Sequence, residues 1–197
     1  TFRIFAFLTP EALMFIAVTG AITALLGAIS AITRNDIKAV LAYSTISQLG
    51  YMIMALGVGA HLYAFFHLVT HAMFKACLFL CSGSVIHSMH HSLHHLKDHH
   101  TDPQDMNNMG GLKTKMPITH ITMLISTLAI AGVPFFSGFL SKDGILAGTL
   151  SYYHLHHGWT IIVPIAGFGA AMITAFYMFR LIFKTFYGEP KNVNVYK

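Results

Sequence analysis

Three proton-exchanging side chains stand at spacings of four in one apolar stretch: His67, His71 and Lys75. At 100° per residue they line one helix face over about 12 Å of rise. The stretch that holds them, about Leu62 to Ile86, is long enough to cross a bilayer. A lysine at the centre of a membrane helix costs about 2.5–3.5 kcal/mol on insertion scales. Loss of water disfavours an ammonium, so a lysine at such depth can gain and release a proton, and histidine titrates near neutrality already. The chemistry on offer is a proton relay through intervening waters. The alternative is a lysine that only neutralises a carboxylate on another helix. The carboxylates are few: Glu11, Asp36, Asp98, Asp102, Asp105, Asp143 and Glu189. Only Asp143 falls within an apolar segment. It neighbours Lys142 as a possible ion-pair partner, but adjacent helical residues point about 100° apart.

Ser44, Gln48 and Tyr51 form a polar stripe on the preceding apolar segment. Such groups hold waters or join helices by hydrogen bonds, and the sequence leaves both readings open. Cys77 and Cys81 lie beside Lys75 and read as small buried hydrophobes. His87, His90, His91, His94 and His95 keep helical spacing, with His99 and His100 just after. Histidine tracts can bind transition metals. No cysteine accompanies this one, and Lys97 and Asp98 follow in solvated company. A polar helix extension is therefore expected, with no metal site. The chain has no GxSxG, P-loop, GxGxxG, CxxC or HExxH motif, so no nucleotide or redox cofactor is expected on it.

The elements that must hold these groups are membrane helices. The chain is 55% hydrophobic and 10% charged, where a soluble domain carries about 25% charged residues. Five apolar segments are visible, at about 12–33, 39–60, 62–86, 117–150 and 160–186. Each reaches the roughly 20 residues of a helical span. The fourth would extend about 50 Å as one helix, against a hydrocarbon core of about 30 Å. It contains Gly132, Pro134 and Gly138, so a break near 132–138 is expected. Irregular backbone at membrane depth is tolerated where it is buried in protein or lines a wet cavity, and broken helices carry transporter ion sites. The expected fold is an all-α polytopic membrane protein in one domain, with five transmembrane helices, the fourth discontinuous. A histidine-rich loop spans 87–116.

Charge then orients the helices. Arg34, Lys38, Lys97, Lys113, Lys115, Arg180, Lys184, Lys191 and Lys197 all fall on one side of five alternating spans, and Arg3 alone on the other. The positive-inside rule puts the basic side in the cytoplasm. The net charge of +5 thus speaks for topology and not for nucleic acid. The chain shows no secretory signal pattern and opens without Met, which reads as a piece of a larger protein.

Several stretches resemble one family. The run from Asp36 to Tyr51, the run from His67 to Ala76 followed by Gly83–His87, Met109–Leu112, and Pro134–Asp143 are similar in series to the antiporter-like membrane subunits of respiratory complex I, NADH:quinone oxidoreductase. Lys142, where other members have glutamate, resembles the large distal type, called subunit L or subunit 5. The resemblance covers nearly the whole chain except the histidine-rich insert. It implies the second of two inverted five-helix repeats. It also implies a central hydrophilic axis that includes His67, His71 and Lys75, with Lys142 as terminal proton-exchanging group. Partners would be the lipid bilayer and other membrane subunits of the complex. NADH, flavin, iron–sulfur clusters and quinone would belong to partner subunits, and the location would be an energy-coupling membrane such as the bacterial inner membrane. Three rivals remain: the large subunit of a multisubunit cation/proton antiporter, a haem-binding anchor using His67 or His71, and a structural bundle without transport.

Overall fold

The computed structural model describes residues 8–98 and 100–190. Arg3, His99, Lys191 and Lys197, named above, lie outside the described residues. Among the described residues the fold is all-helical, with six α-helices: α1 (Pro10–Thr33), α2 (Ile37–Gly57), α3 (His61–His95), α4 (Pro117–Ala131), α5 (Ser137–His156) and α6 (Ile162–Phe186). Two short 3-10 turns, Met106–Asn108 and Gly158–Ile161, interrupt the connections.

The caps explain several boundaries. Thr9 accepts from the Ala12 N–H at 3.3 Å ahead of Pro10, whose missing donor is harmless in a first turn. Asp36 accepts from the Lys38 and Ala39 N–H groups at 2.7 and 3.3 Å and starts α2. Gly59, with φ +82°, turns the chain into α3.

One boundary lies beyond the span expected at 62–86. The segment placed at 62–86 continues as helix to His95, because the histidine run keeps helical spacing without a glycine or proline to stop it. The histidine-rich stretch thus begins as about two and a half turns of α3 with exposed histidines and buried Met89 and Leu93, and the 87–116 loop shortens. The 35 residues of α3 rise about 52 Å, well beyond a hydrocarbon core of about 30 Å. The 117–150 segment is two helices, with 132–136 in neither. Among the described residues, four helices are long and apolar enough to cross a membrane: α1, α2, α3 and α6 with its preceding turn. α4 is apolar but has 15 residues, and α5 has 20 but is less apolar.

α1 and α2 form the tightest pair. Ala17, Gly20, Ala24 and Gly27 of α1 are buried against Gly57, Met54, Gly50 and Ser47 of α2. A Cβ on Gly27 would stand 2.7 Å from the Ser47 nitrogen. A Cβ on Gly20 would strike the Met54 nitrogen, and one on Gly50 the Ala24 nitrogen. Backbones this close are how small residues associate helices when lipid supplies no hydrophobic drive. At the Arg34 end, Arg180 of α6 donates to the Ile32 and Arg34 carbonyls at 2.6 and 3.0 Å and to Asn35 Oδ1 at 2.5 Å. The Met106 N–H donates to the Asn35 carbonyl at 2.9 Å, and Ile37 to Gln104 at 3.1 Å. The connection after α3 is thereby tied down on the α1–α2 turn. Within it, the Thr101 hydroxyl and the His100 N–H bond the Asp98 carboxyl and hold it below the usual carboxylate range.

Candidate functional site

α3 presents His67, His71 and Lys75 to the bundle interior as one buried stripe. Lys75 is 5% exposed, and its ammonium donates to the Leu41 carbonyl at 2.8 Å and to the Ser44 hydroxyl. Ser44 in turn donates to Leu41 at 3.1 Å. One turn along α2, Gln48 Oε1 meets Nε2 of His67 at 2.9 Å, and Nδ1 of His67 meets Ser141 Oγ of α5 at 2.8 Å. With Gln48 accepting, Nε2 carries the ring proton and Nδ1 accepts from Ser141. Lys142, next in sequence to Ser141, is 4% exposed and donates to the Ile130 carbonyl at 2.6 Å. Its ammonium also stands 5.8 Å from the centre of the Tyr51 ring.

His71 sits between these clusters. Its ring centre is 6.0 Å from that of His67 and 5.4 Å from Phe74, and it lies within electrostatic reach of both Lys75 and Lys142. Its Nε2 is buried with no hydrogen-bond partner. Side chains of α2, α3 and α5 thus make a seam from Lys75–Ser44 through Gln48–His67–Ser141 to Lys142.

The backbone between α4 and α5 prepares the acceptor for Lys142. The last four carbonyls of an α-helix have no intrahelical donor. Gly132 takes the left-handed conformation, φ +79° and ψ +38°, which only glycine adopts without cost. Its N–H reaches the Ala129 carbonyl at 3.2 Å, and the Val133 N–H reaches Leu128 at 3.1 Å. The Ile130 carbonyl remains for the lysine. Pro134 and Phe135 occupy the middle of a turn closed by Phe136 N–H to the Val133 carbonyl at 3.2 Å. Gly138 then lets α5 begin against the end of α4, because a Cβ there would overlap the Ala129 carbonyl oxygen.

The sequence-singled residues divide clearly. His67, His71, Lys75, Lys142, Ser44 and Gln48 come together, and Tyr51 joins them through its ring while its hydroxyl donates to the Gly167 carbonyl of α6. Asp143 does not, because it is exposed on the outward face of α5 while Lys142 points inward. Neither buried ammonium has a carboxylate among its hydrogen-bond acceptors. Sequence reasoning missed Ser141, Thr174 and Tyr177. Gln48 Nε2 donates to Thr174 Oγ1 at 3.4 Å, and the Tyr177 hydroxyl donates to the same oxygen at 3.3 Å. The i, i+3 spacing of Thr174 and Tyr177 on an apolar segment was the available signal. Among the described residues no group of three or more histidine, cysteine or acidic side chains is arranged to hold a metal ion. His91 and His95 pair ring to ring at 4.5 Å.

A transmembrane family described as NADH:quinone oxidoreductase/Mrp antiporter matches residues 1–177. The chain belongs to this family. Among its relatives, NAD(P)H-quinone oxidoreductase chain 5 of Picosynechococcus sp. is 55% identical over 180 residues, covering 91% of this chain and 26% of the relative. NADH-quinone oxidoreductase subunit L of Rhodobacter capsulatus is 49% identical over 193 residues, covering 92% and 25%. The chain thus spans about a quarter of the length of the curated relatives it matches. Among solved structures, that of the Mrp complex from Dietzia sp. superimposes with a TM-score of 0.71 at 33% identity, over 86% of this chain and 18% of that one. Membership makes the protein a multi-pass component of an energy-coupling membrane.

Proposed function

We propose that this chain is the second-repeat unit of a proton-translocating membrane subunit of NADH:quinone oxidoreductase. In this reading α4 and α5 together form one discontinuous span, giving five, with the Arg34 end and the α3 extension in the cytoplasm. Lys75 and Lys142 change protonation state in turn, and His67, His71, Ser44, Gln48 and Ser141 pass the proton between them. NADH, flavin, iron–sulfur and quinone chemistry belongs to partner subunits, and this chain contributes the relay. The observation that carries the reading is the seam itself: two buried lysines with no carboxylate among their hydrogen-bond acceptors, on the same interior as the hydrogen-bonded Gln48–His67–Ser141 set from three helices. A lysine there as a plain structural cation would want a counter-charge, since an unpaired buried charge is costly.

The antiporter reading shares the architecture, and the Dietzia likeness speaks for it. Identities of 49–55% to subunit L and chain 5 relatives favour the oxidoreductase. The haem reading is weakened for His67, because both its ring nitrogens are already engaged, by Gln48 and Ser141.

Lys142→Ala tests the proposal in membrane vesicles holding the assembled complex. NADH-driven proton uptake per assembled complex is expected to fall by at least about tenfold, within the range of lost acid–base groups. Uptake equal to the parent's would remove Lys142 from the path.

A further inference from the structure

Among the described residues and away from the central seam, Nε2 of His120, Oγ1 of Thr127 and Oγ1 of Thr185 are buried without a hydrogen-bond partner. His120 is 5% exposed and both threonines 0%. An unsatisfied buried donor or acceptor costs about 1–3 kcal/mol, and such sites are where bound water is found in proteins.

Their placement has direction. On α4, His120, Thr127 and Ile130 follow at i, i+7 and i+10, so they share one face over about 15 Å of rise. Ile130 is the residue whose carbonyl holds Lys142. On α6, Thr174 and Thr185 are eleven apart, again on one face, and Thr174 belongs to the central seam through Gln48. The two stripes meet at the end of the bundle where α4 begins and α6 finishes. There the His120 ring lies 5.1 Å from Phe186 and 5.3 Å from Tyr187. Exposed Lys113 sits 4.9 Å over the other side of this corner, above the Tyr187 ring. Along the helices Met123 comes between His120 and Thr127, and Met178 and Leu181 come between Thr174 and Thr185, all fully buried. Methionine side chains are flexible enough to shift aside.

We propose that His120, Thr127 and Thr185 line a second, methionine-gated water path, which carries protons between the Lys113 surface and Lys142. This inference rests on the relay reading above. In one passage His120 gains a proton from surface water at one ring nitrogen and releases one inward to water at Thr127. The neutral amine of Lys142 accepts it and becomes an ammonium. Charge and protons balance without a redox partner.

The double variant Thr127→Val, Thr185→Val keeps the side-chain shape and removes both hydroxyls. If those hydroxyls hold nothing, the exchange is neutral or stabilising. The proposal expects NADH-driven proton uptake per assembled complex to fall by about threefold or more. Thr127→Ser, Thr185→Ser should retain it. Uptake unchanged in the valine variant at equal assembly overturns the path. A second measurement needs no variant: deuterium exchange at the ring carbon of His120 in the intact complex, read by mass spectrometry against exposed His91. Exchange within about threefold of His91 supports water at the ring, and exchange slower by more than about tenfold contradicts it. Loss of uptake in Lys142→Ala together with normal uptake in the valine variant rejects this branch alone. Normal uptake in Lys142→Ala rejects the relay reading beneath it.

Discussion

Glycine does opposite work in two parts of this molecule. Between α1 and α2, Gly20, Gly27, Gly50 and Gly57 remove side chains so that two unbroken helices lie backbone to backbone. Between α4 and α5, Gly132 adopts a left-handed turn and Gly138 lets the next helix start, so the helix is broken. The first arrangement keeps both helices unbroken and brings their backbones into direct contact. The second exposes a carbonyl, that of Ile130, and a buried ammonium takes it. Lipid penalises unsatisfied backbone severely. A break is therefore stable only beside donors, and here the donor is Lys142, the side chain proposed to exchange protons. The comparison separates a rigid scaffold from a site.

Gly50→Leu gives the largest expected effect. Its side chain meets the Ala24 backbone, which cannot yield without parting α1 from α2. More than about 2 kcal/mol of destabilisation is expected, enough to cut assembled complex on a native gel by over about tenfold. Normal assembly would mean that the pair is looser than its geometry. Gly132→Ala acts on the other region. Its left-handed conformation costs a Cβ about 1–2 kcal/mol, and the new carbon stands 3.4 Å from Lys142 Cδ. Assembly should persist while proton uptake per complex falls severalfold, a split between the two readouts that Gly50→Leu does not produce. An equal loss of both would make the break a structural joint only.

The smallest effect belongs to the exposed turns of α3. Replacing His90, His91, His94 and His95 with Gln should leave proton uptake and assembly close to the parent's, because these side chains face outward, far from the seam. A large loss, or stoichiometric zinc binding by calorimetry, would give the tract a metal-dependent role.

The helices and the inward lysines were legible because lipid makes periodicity and charge unambiguous. Lys75 with His67 and His71 stood out through spacing, and Lys142 through its place after a glycine–proline break. What stayed hidden depends on tertiary pairing. Nothing in the sequence says that His67 bonds Ser141, because 74 residues separate them. Leu41 and Ile130 act through their carbonyls, and any residue type offers one. The helical spacing of the histidines already pointed to an extension of α3, and only its end at His95 had to come from the structure. Asp143 sat beside the right residue but on the wrong face, as the 100° step between neighbours implies.

The central claim is that Lys75 exchanges its proton and does not merely hold a charge. Its most direct test compares Lys75→Ala with Lys75→Arg, by NADH-driven proton uptake in vesicles normalised to assembled complex. Alanine removes the exchangeable proton yet favours membrane insertion, so the helix should form. Arginine keeps the positive charge but holds its proton at any physiological pH. Both variants are expected to assemble and to pump poorly. Near-normal uptake by Lys75→Arg would show that only the charge matters, and near-normal uptake by Lys75→Ala would take Lys75 out of the path.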